Sequence, residues 1–179
     1  MFIETVKSLS AHKDCNHNDL SNRLKEISEK SRKDFFYSRW LGNNISKALH
    51  TGIPSGNPSP TSIPRAIPIA LFFNDLEKIL FTVEKHSKIT HMSPLSLAGT
   101  FFVSFMLFFL KKGKTDPDKI MENAFMEMEK KYPGIKPLSE KIELVLNGKI
   151  ENISEARKLL GTGSVIYQSL PLALYIQDI

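Results

Sequence analysis

Leu95-Ser96-Leu97-Ala98-Gly99-Thr100-Phe101-Phe102-Val103-Ser104-Phe105-Met106-Leu107-Phe108-Phe109-Leu110 is an uninterrupted apolar stretch without a single charge, and its reading decides the fold. As a helix rising about 1.5 Å per residue it reaches roughly 24 Å, short of the roughly 30 Å of a bilayer's hydrocarbon. Ser96, Thr100 and Ser104 recur at every fourth position and share one helix face beside Gly99. A stripe of small, weakly polar residues lets another helix approach closely. The expectation is the buried central helix of a bundle, with no membrane partner. Gly113 ends the run among Lys111, Lys112 and Lys114, whose charges suit a helix C-terminus.

Outward from this segment the spacing stays helical. Leu20, Leu24 and Ile27 follow i, i+4, i+7, as do Leu138, Ile142 and Val145, and Leu76, Ile79, Leu80 and Val83 fill i, i+3, i+4, i+7. Start signals agree: Asn74 with Glu77, Asn152 with Glu155, and Asp116 before Pro117. Convincing strand alternation is absent, so the reading is all-α. The main interruption runs from Gly52 to Pro64, where Pro54, Pro58, Pro60 and Pro64 remove backbone donors. The helices on either side are too few for separate cores, so 1–179 reads as one domain containing a Pro-rich loop at 52–64, and a loop of this length is often functional.

A chain of 179 residues with 41% hydrophobic side chains can bury one good core. Its 24 basic and 19 acidic residues give a net +5, which suits an anionic ligand. The Lys and Arg are spread rather than blocked, so no nucleic-acid partner is expected. Cys15 is the only cysteine, which excludes an internal disulfide and fits a reducing, cytoplasmic compartment.

Three ordered signatures carry more specific information: Arg65-Ala66-Ile67-Pro68-Ile69-Ala70-Leu71-Phe72, then Thr90-His91, then Gly161-Thr162-Gly163 leading into Ser169-Leu170-Pro171-Leu172-Ala173-Leu174. In this order the chain resembles the ADP-ribosylglycohydrolase family. The resemblance implies an orthogonal multi-helix bundle, removal of ADP-ribose from modified proteins, and two divalent ions, Mg²⁺ in the family. It also implies that Ser55, Gly56 and Asn57, then His91, then Gly163, Ser164 and Tyr167 face ADP-ribose. The chemistry is consistent: glycine lets backbone approach a ligand, and backbone N–H, amide and hydroxyl groups bond diphosphate and ribose oxygens. Arg65 reads as a structural salt bridge near a helix start. The chain departs from the family pattern at Pro58-Ser59-Pro60-Thr61-Ser62-Ile63-Pro64, an insertion, at Met92 for a usual Pro, and at Gln168 for a common Glu.

The family's acidic metal motifs are a different matter. A Thr-Asp-Asp-Thr type motif should precede a helix such as Phe2 to Leu9, and an Asp-x-Asp-Thr type motif should follow Gln177-Asp178-Ile179; neither is in the chain, and Asp178 alone cannot replace the second. The expectation is a domain truncated at both ends, with no catalytic or metal residue of its own and Mg²⁺ not bound by this chain alone. Exposed apolar surface, self-association or a complementing second chain follow from the same reading. Asp116 and Asp118 read as helix capping rather than metal binding, and His12, Cys15 and His17 as a chance cluster without a fourth ligand. Two alternatives remain: a module that binds ADP-ribose without catalysis, and a helical interaction or membrane-associated protein.

Overall fold

A computed structural model describes residues 1–34 and 41–177, and among these it contains ten α-helices. They are α1 (Phe2–His12), α2 (His17–Lys33), α3 (Asn43–Thr51), α4 (Ile63–Phe72), α5 (Leu76–Ser87), α6 (Pro94–Lys111), α7 (Pro117–Lys131), α8 (Lys136–Leu146), α9 (Ile153–Leu160) and α10 (Ile166–Gln177). Asp178 lies outside the described residues. The chain is all-α, as the periodicity requires.

The capping signals locate most starts. Asp116 Oδ1 accepts from Lys119 N at 3.0 Å with Pro117 in the first turn, and Asn152 Oδ1 accepts from Glu155 N at 3.0 Å. Asn74 does not cap α5. Asp75, one residue later, does so by accepting from Lys78 N at 2.7 Å, because the helix begins at Leu76. The loop after α3 is also shorter than its prolines suggest: Pro60–Ser62 form a 3₁₀ turn that runs into α4, with Pro64 in the first turn of that helix. Proline lacks only a donor that a first turn leaves unpaired anyway.

Helix α6 is the axis of the bundle and packs against α4, α5, α7 and α10. It is long and apolar enough to cross a membrane by length and composition, yet ten of its residues, from Ser96 to Met106, are buried inside the protein. The small stripe works as its spacing implies. A Cβ at Gly99 would run into Ile166 Cδ1 and lie 2.9 Å from Ile166 Cγ1 and 3.2 Å from Leu170 Cδ2, so α10 can lie this close only over a glycine. At the far end Lys111 Nζ reaches away from its own helix to donate to the carbonyls of Leu71 (2.6 Å) and Phe73 (2.8 Å), satisfying the C-terminus of α4.

Three apolar clusters result. The largest joins α6 to α7–α10 around Phe102, Met128, Leu138, Ile142, Leu160 and Ile166; a second joins α1, α4 and α5; a third joins α2 and α3 through Leu20, Leu24, Ile45 and Leu49. On the outer side of α1 and α4, Phe2, Ile3, Val6, Leu71 and Phe72 are exposed together around a shallow cavity of about 290 Å³. Replacing Gly99→Val should lower stability in urea unfolding by about 1–3 kcal/mol through overpacking. Adding Ile166→Ala should recover part of that loss; no recovery would mean that α10 does not set the constraint.

Candidate functional site

The loop between α3 and α4 is held from outside rather than by itself. Ser55 forms a two-sided parallel backbone bridge with the Thr90–Met92 segment: Ser55 N donates to Thr90 O at 2.9 Å and Met92 N donates to Ser55 O at 2.8 Å. Ser96 Oγ, on the small stripe of α6, shares its proton between the carbonyls of Ser59 (2.9 Å) and Asn57 (3.2 Å). One turn on, Thr100 donates to Ser96 O at 2.7 Å, so Ser62 donates to Thr100 Oγ1 at 2.6 Å. Ile166 N, opening α10, donates to Pro58 O at 2.8 Å. The Thr90–His91 signature and the start of α10, which lies inside the third signature, therefore meet this one loop.

Thr90 and His91 are completely buried beneath it. Both ring nitrogens of His91 are engaged, Nε2 with Thr61 Oγ1 at 2.8 Å and Nδ1 with Thr90 Oγ1 at 2.7 Å. Thr61 belongs to the inserted segment, which thus supplies the partner of a signature residue. Arg65 is buried beside them and donates through Nη2 to Thr90 Oγ1 at 2.5 Å. It makes no salt bridge, contrary to the sequence expectation: its Nε and Nη1 have no hydrogen-bond partner among the described residues. Helix α4 points this position into the interior, where none of the described carboxylates pairs with it. Burial lowers the guanidinium to about 10, so it stays charged at neutral pH.

The third signature owes its glycines to Gln168. Gly161 adopts φ 87°, ψ 168°, a region open essentially to glycine, and a Cβ there would lie 2.6 Å from Gln168 Cδ. Gln168 Oε1 accepts from Gly163 N at 2.8 Å, so the residue that replaces the family's Glu packs the turn. Gly163 and Ser164 are exposed, and Tyr167 is half-buried with Lys141 Nζ 5.6 Å from its ring centre.

A cavity of about 340 Å³ opens between α3 and the loop, lined by Ser55, Gly56 and Asn57 together with Asn44, Lys47 and Thr51. Sequence reasoning missed these last three, although 44, 47 and 51 share one face of a helix, a signal visible in the spacing. Lys47 is exposed there and is the cation of the cavity wall. His91 lies below this wall, and Gly163, Ser164 and Tyr167 line other surface, joined to the loop at Pro58. A larger cleft of about 590 Å³ lies between α5 and α7, around Phe81, Glu84 and Lys131, and includes none of the sequence-derived site residues.

Among the described residues no three His, Cys, Asp or Glu side chains come together as a metal-binding group. His12 lies 3.5 Å from Asp19, and the His17 ring packs edge-on against His86, 5.6 Å between centres. Asp116 is spent on its cap. The described residues do not assemble the carboxylate set for two Mg²⁺ ions that the sequence resemblance implies.

Burial, reinforced by nearby positive charge, holds both His86 and His91 at about 4. The neighbours are His17, Arg65 and Lys85 for His86, and Arg65 for His91. An unfolded chain protonates its histidines near 6.5, so as pH falls the unfolded state gains protons first. Stability is then full above about 6.5 and lost as pH falls toward 4, on the order of 3 kcal/mol per histidine. Glu84, which burial alone would raise, is held at about 2 by Lys131, Lys88 and Tyr132, so its loss falls at lower pH. Urea unfolding between pH 7 and 4.5 should show a falling midpoint, flattened by His86→Gln; a flat profile in the parent would contradict the buried neutral histidines.

Two comparisons with known proteins bear on the chain. A family model described as ADP-ribosylglycohydrolase matches residues 1–177. No curated protein matches. With the match spanning nearly the whole chain, and with an all-α bundle, this chain belongs to the ADP-ribosylglycohydrolase family.

Proposed function

We propose that the chain carries the ADP-ribose-facing loop of an ADP-ribosylglycohydrolase, acting on ADP-ribose or ADP-ribosylated protein, and that by itself it binds this ligand without hydrolysing it. The carrying observation is that one loop, 53–59, is bonded both to the Thr90–Met92 segment and to the start of α10. At the cavity Gly56 offers a backbone N–H, Ser55 a hydroxyl and Asn57 a side-chain amide, Ser55 N and Asn57 N being already engaged by Thr90 O and Ser55 Oγ, and Lys47 supplies positive charge for a diphosphate. His91 acts from beneath, by holding the loop through Thr61. Gly163, Ser164 and Tyr167, on the separate surface joined to the loop at Pro58, would take the adenosine side.

Hydrolysis is not assigned to this chain because the acidic residues that would hold two Mg²⁺ ions are not gathered among its described side chains. Cys15 fits a cytoplasmic setting: burial first, then Asp14, raises its thiol to about 12, leaving it unreactive. The exposed face of Phe2, Val6, Leu71 and Phe72 is where self-association or a complementing chain would dock.

Calorimetric titration with ADP-ribose should give binding heat together with thermal stabilisation at millimolar ligand. Lys47→Ala should weaken binding roughly tenfold, the value of one charge-assisted hydrogen bond, without changing stability. Absence of heat and of stabilisation would remove the binding reading. Release of ADP-ribose from a modified protein in the presence of Mg²⁺ would overturn the assignment of binding without hydrolysis.

A further inference from the structure

The contacts of Arg65 have a direction. A guanidinium carries five N–H donors and no acceptor. Nη2 of Arg65 donates to Thr90 Oγ1 at 2.5 Å and also meets His91 Nδ1 at 3.4 Å. Since arginine only donates, Nδ1 must accept. A neutral imidazole that accepts at Nδ1 carries its proton on Nε2. That nitrogen lies 2.8 Å from Thr61 Oγ1, so Thr61 accepts from His91. The Thr61 hydroxyl proton is then free to pass to Ser59 Oγ, 2.8 Å away, which also accepts from Thr61 N at 3.3 Å. Thr90 fits the same polarity: having accepted from Arg65, its hydroxyl donates to Nδ1 at 2.7 Å.

We propose that Arg65 is a positioning residue that fixes His91 as its Nε2–H tautomer and, through Thr61 and Ser59, sets the conformation of the 55–61 loop. That this loop faces ADP-ribose rests on the reading above; the polarity of the chain does not. The cost of the arrangement marks it as specific. A charged side chain 1% exposed, with Nε and Nη1 unpartnered, is expensive beside an apolar residue of equal volume. Among the described residues it makes no ion pair, and burial alone accounts for the lowering of its guanidinium. What it supplies is a fixed set of donors aimed at Thr90 and His91.

The test is read without ligand. Long-range ¹H–¹⁵N correlation spectra of the unaltered protein should show His91 protonated at Nε2 and bare at Nδ1, and a proton on Nδ1 or an even mixture would overturn the proposal. Arg65→Met should give a mixture of tautomers and shift the backbone amides of Ser55 to Asn57. Arg65→Lys, still a pure donor, should restore Nε2–H. A folded Arg65→Met protein with an unchanged Nε2–H tautomer and unmoved loop amides would also overturn it. Should Arg65→Met not fold, Thr61→Val leaves the arginine in place and should move the loop amides while Nδ1 stays bare; unmoved amides would refute the relay through Thr61. Because ADP-ribose takes no part in these readings, a failure to bind it would count against the proposed function alone.

Discussion

A proline-rich backbone cannot satisfy its own hydrogen bonds, and the loop from Ile53 to Ser59 is built around that constraint. Pro54 and Pro58 offer no N–H; Asn57 N and Ser59 N are satisfied within the loop, by Ser55 Oγ and Asn57 O, but both backbone groups of Ser55 and the carbonyls of Asn57, Pro58 and Ser59 find partners at widely separated points: Thr90 and Met92 beyond the end of α5, Ser96 on α6, Ile166 at the start of α10. The loop can hold its shape only if those three elements are already in place. Conversely, each element is tied to the others through it. The meeting of the Thr90–His91 signature and the start of α10 on a single segment is thus a consequence of backbone accounting.

The apolar helix α6 makes this possible because it is not wholly apolar. Ser96, Thr100 and Ser104 are fully buried, yet each has a hydrogen-bond partner: Thr100 and Ser104 bond back to the preceding turn while Ser96 serves the loop. Buried hydroxyls satisfied in this way carry little penalty and specify one orientation of the helix. Arg65 is the exception. It is a buried cation whose partners among the described residues are Thr90 and His91, so its retention favours geometry over stability.

The bundle was legible in the sequence because the evidence for it is local. The uncharged run at 95–110, the spacing of Leu138, Ile142 and Val145, and the caps at Asp116 and Asn152 all act within one or two turns. The glycine at 99 was legible as a close approach, though not the identity of Ile166 as its neighbour. Partners distant in sequence were harder to read. A salt bridge expected for Arg65 depended on a carboxylate arriving from elsewhere, and none did. His91 stands in a motif associated with ligand, but its burial and its partner Thr61, contributed by the inserted segment, depend on how the loop folds over it. Lys47 carries no motif and gains interest only because α3 turns it into the cavity beside Gly56.

The central proposal is that the loop at 55–57 and the turn at 163–167, two surfaces joined at Pro58, both face ADP-ribose. Titrating ADP-ribose into ¹⁵N-labelled protein and following the backbone amides tests it most directly. The account predicts saturable shifts at Ser55, Gly56 and Asn57, accompanied at the same ligand concentration by shifts at Gly163, Ser164 and Tyr167. Shifts confined to the α5–α7 cleft around Phe81 and Lys131, with the loop unmoved, would contradict it.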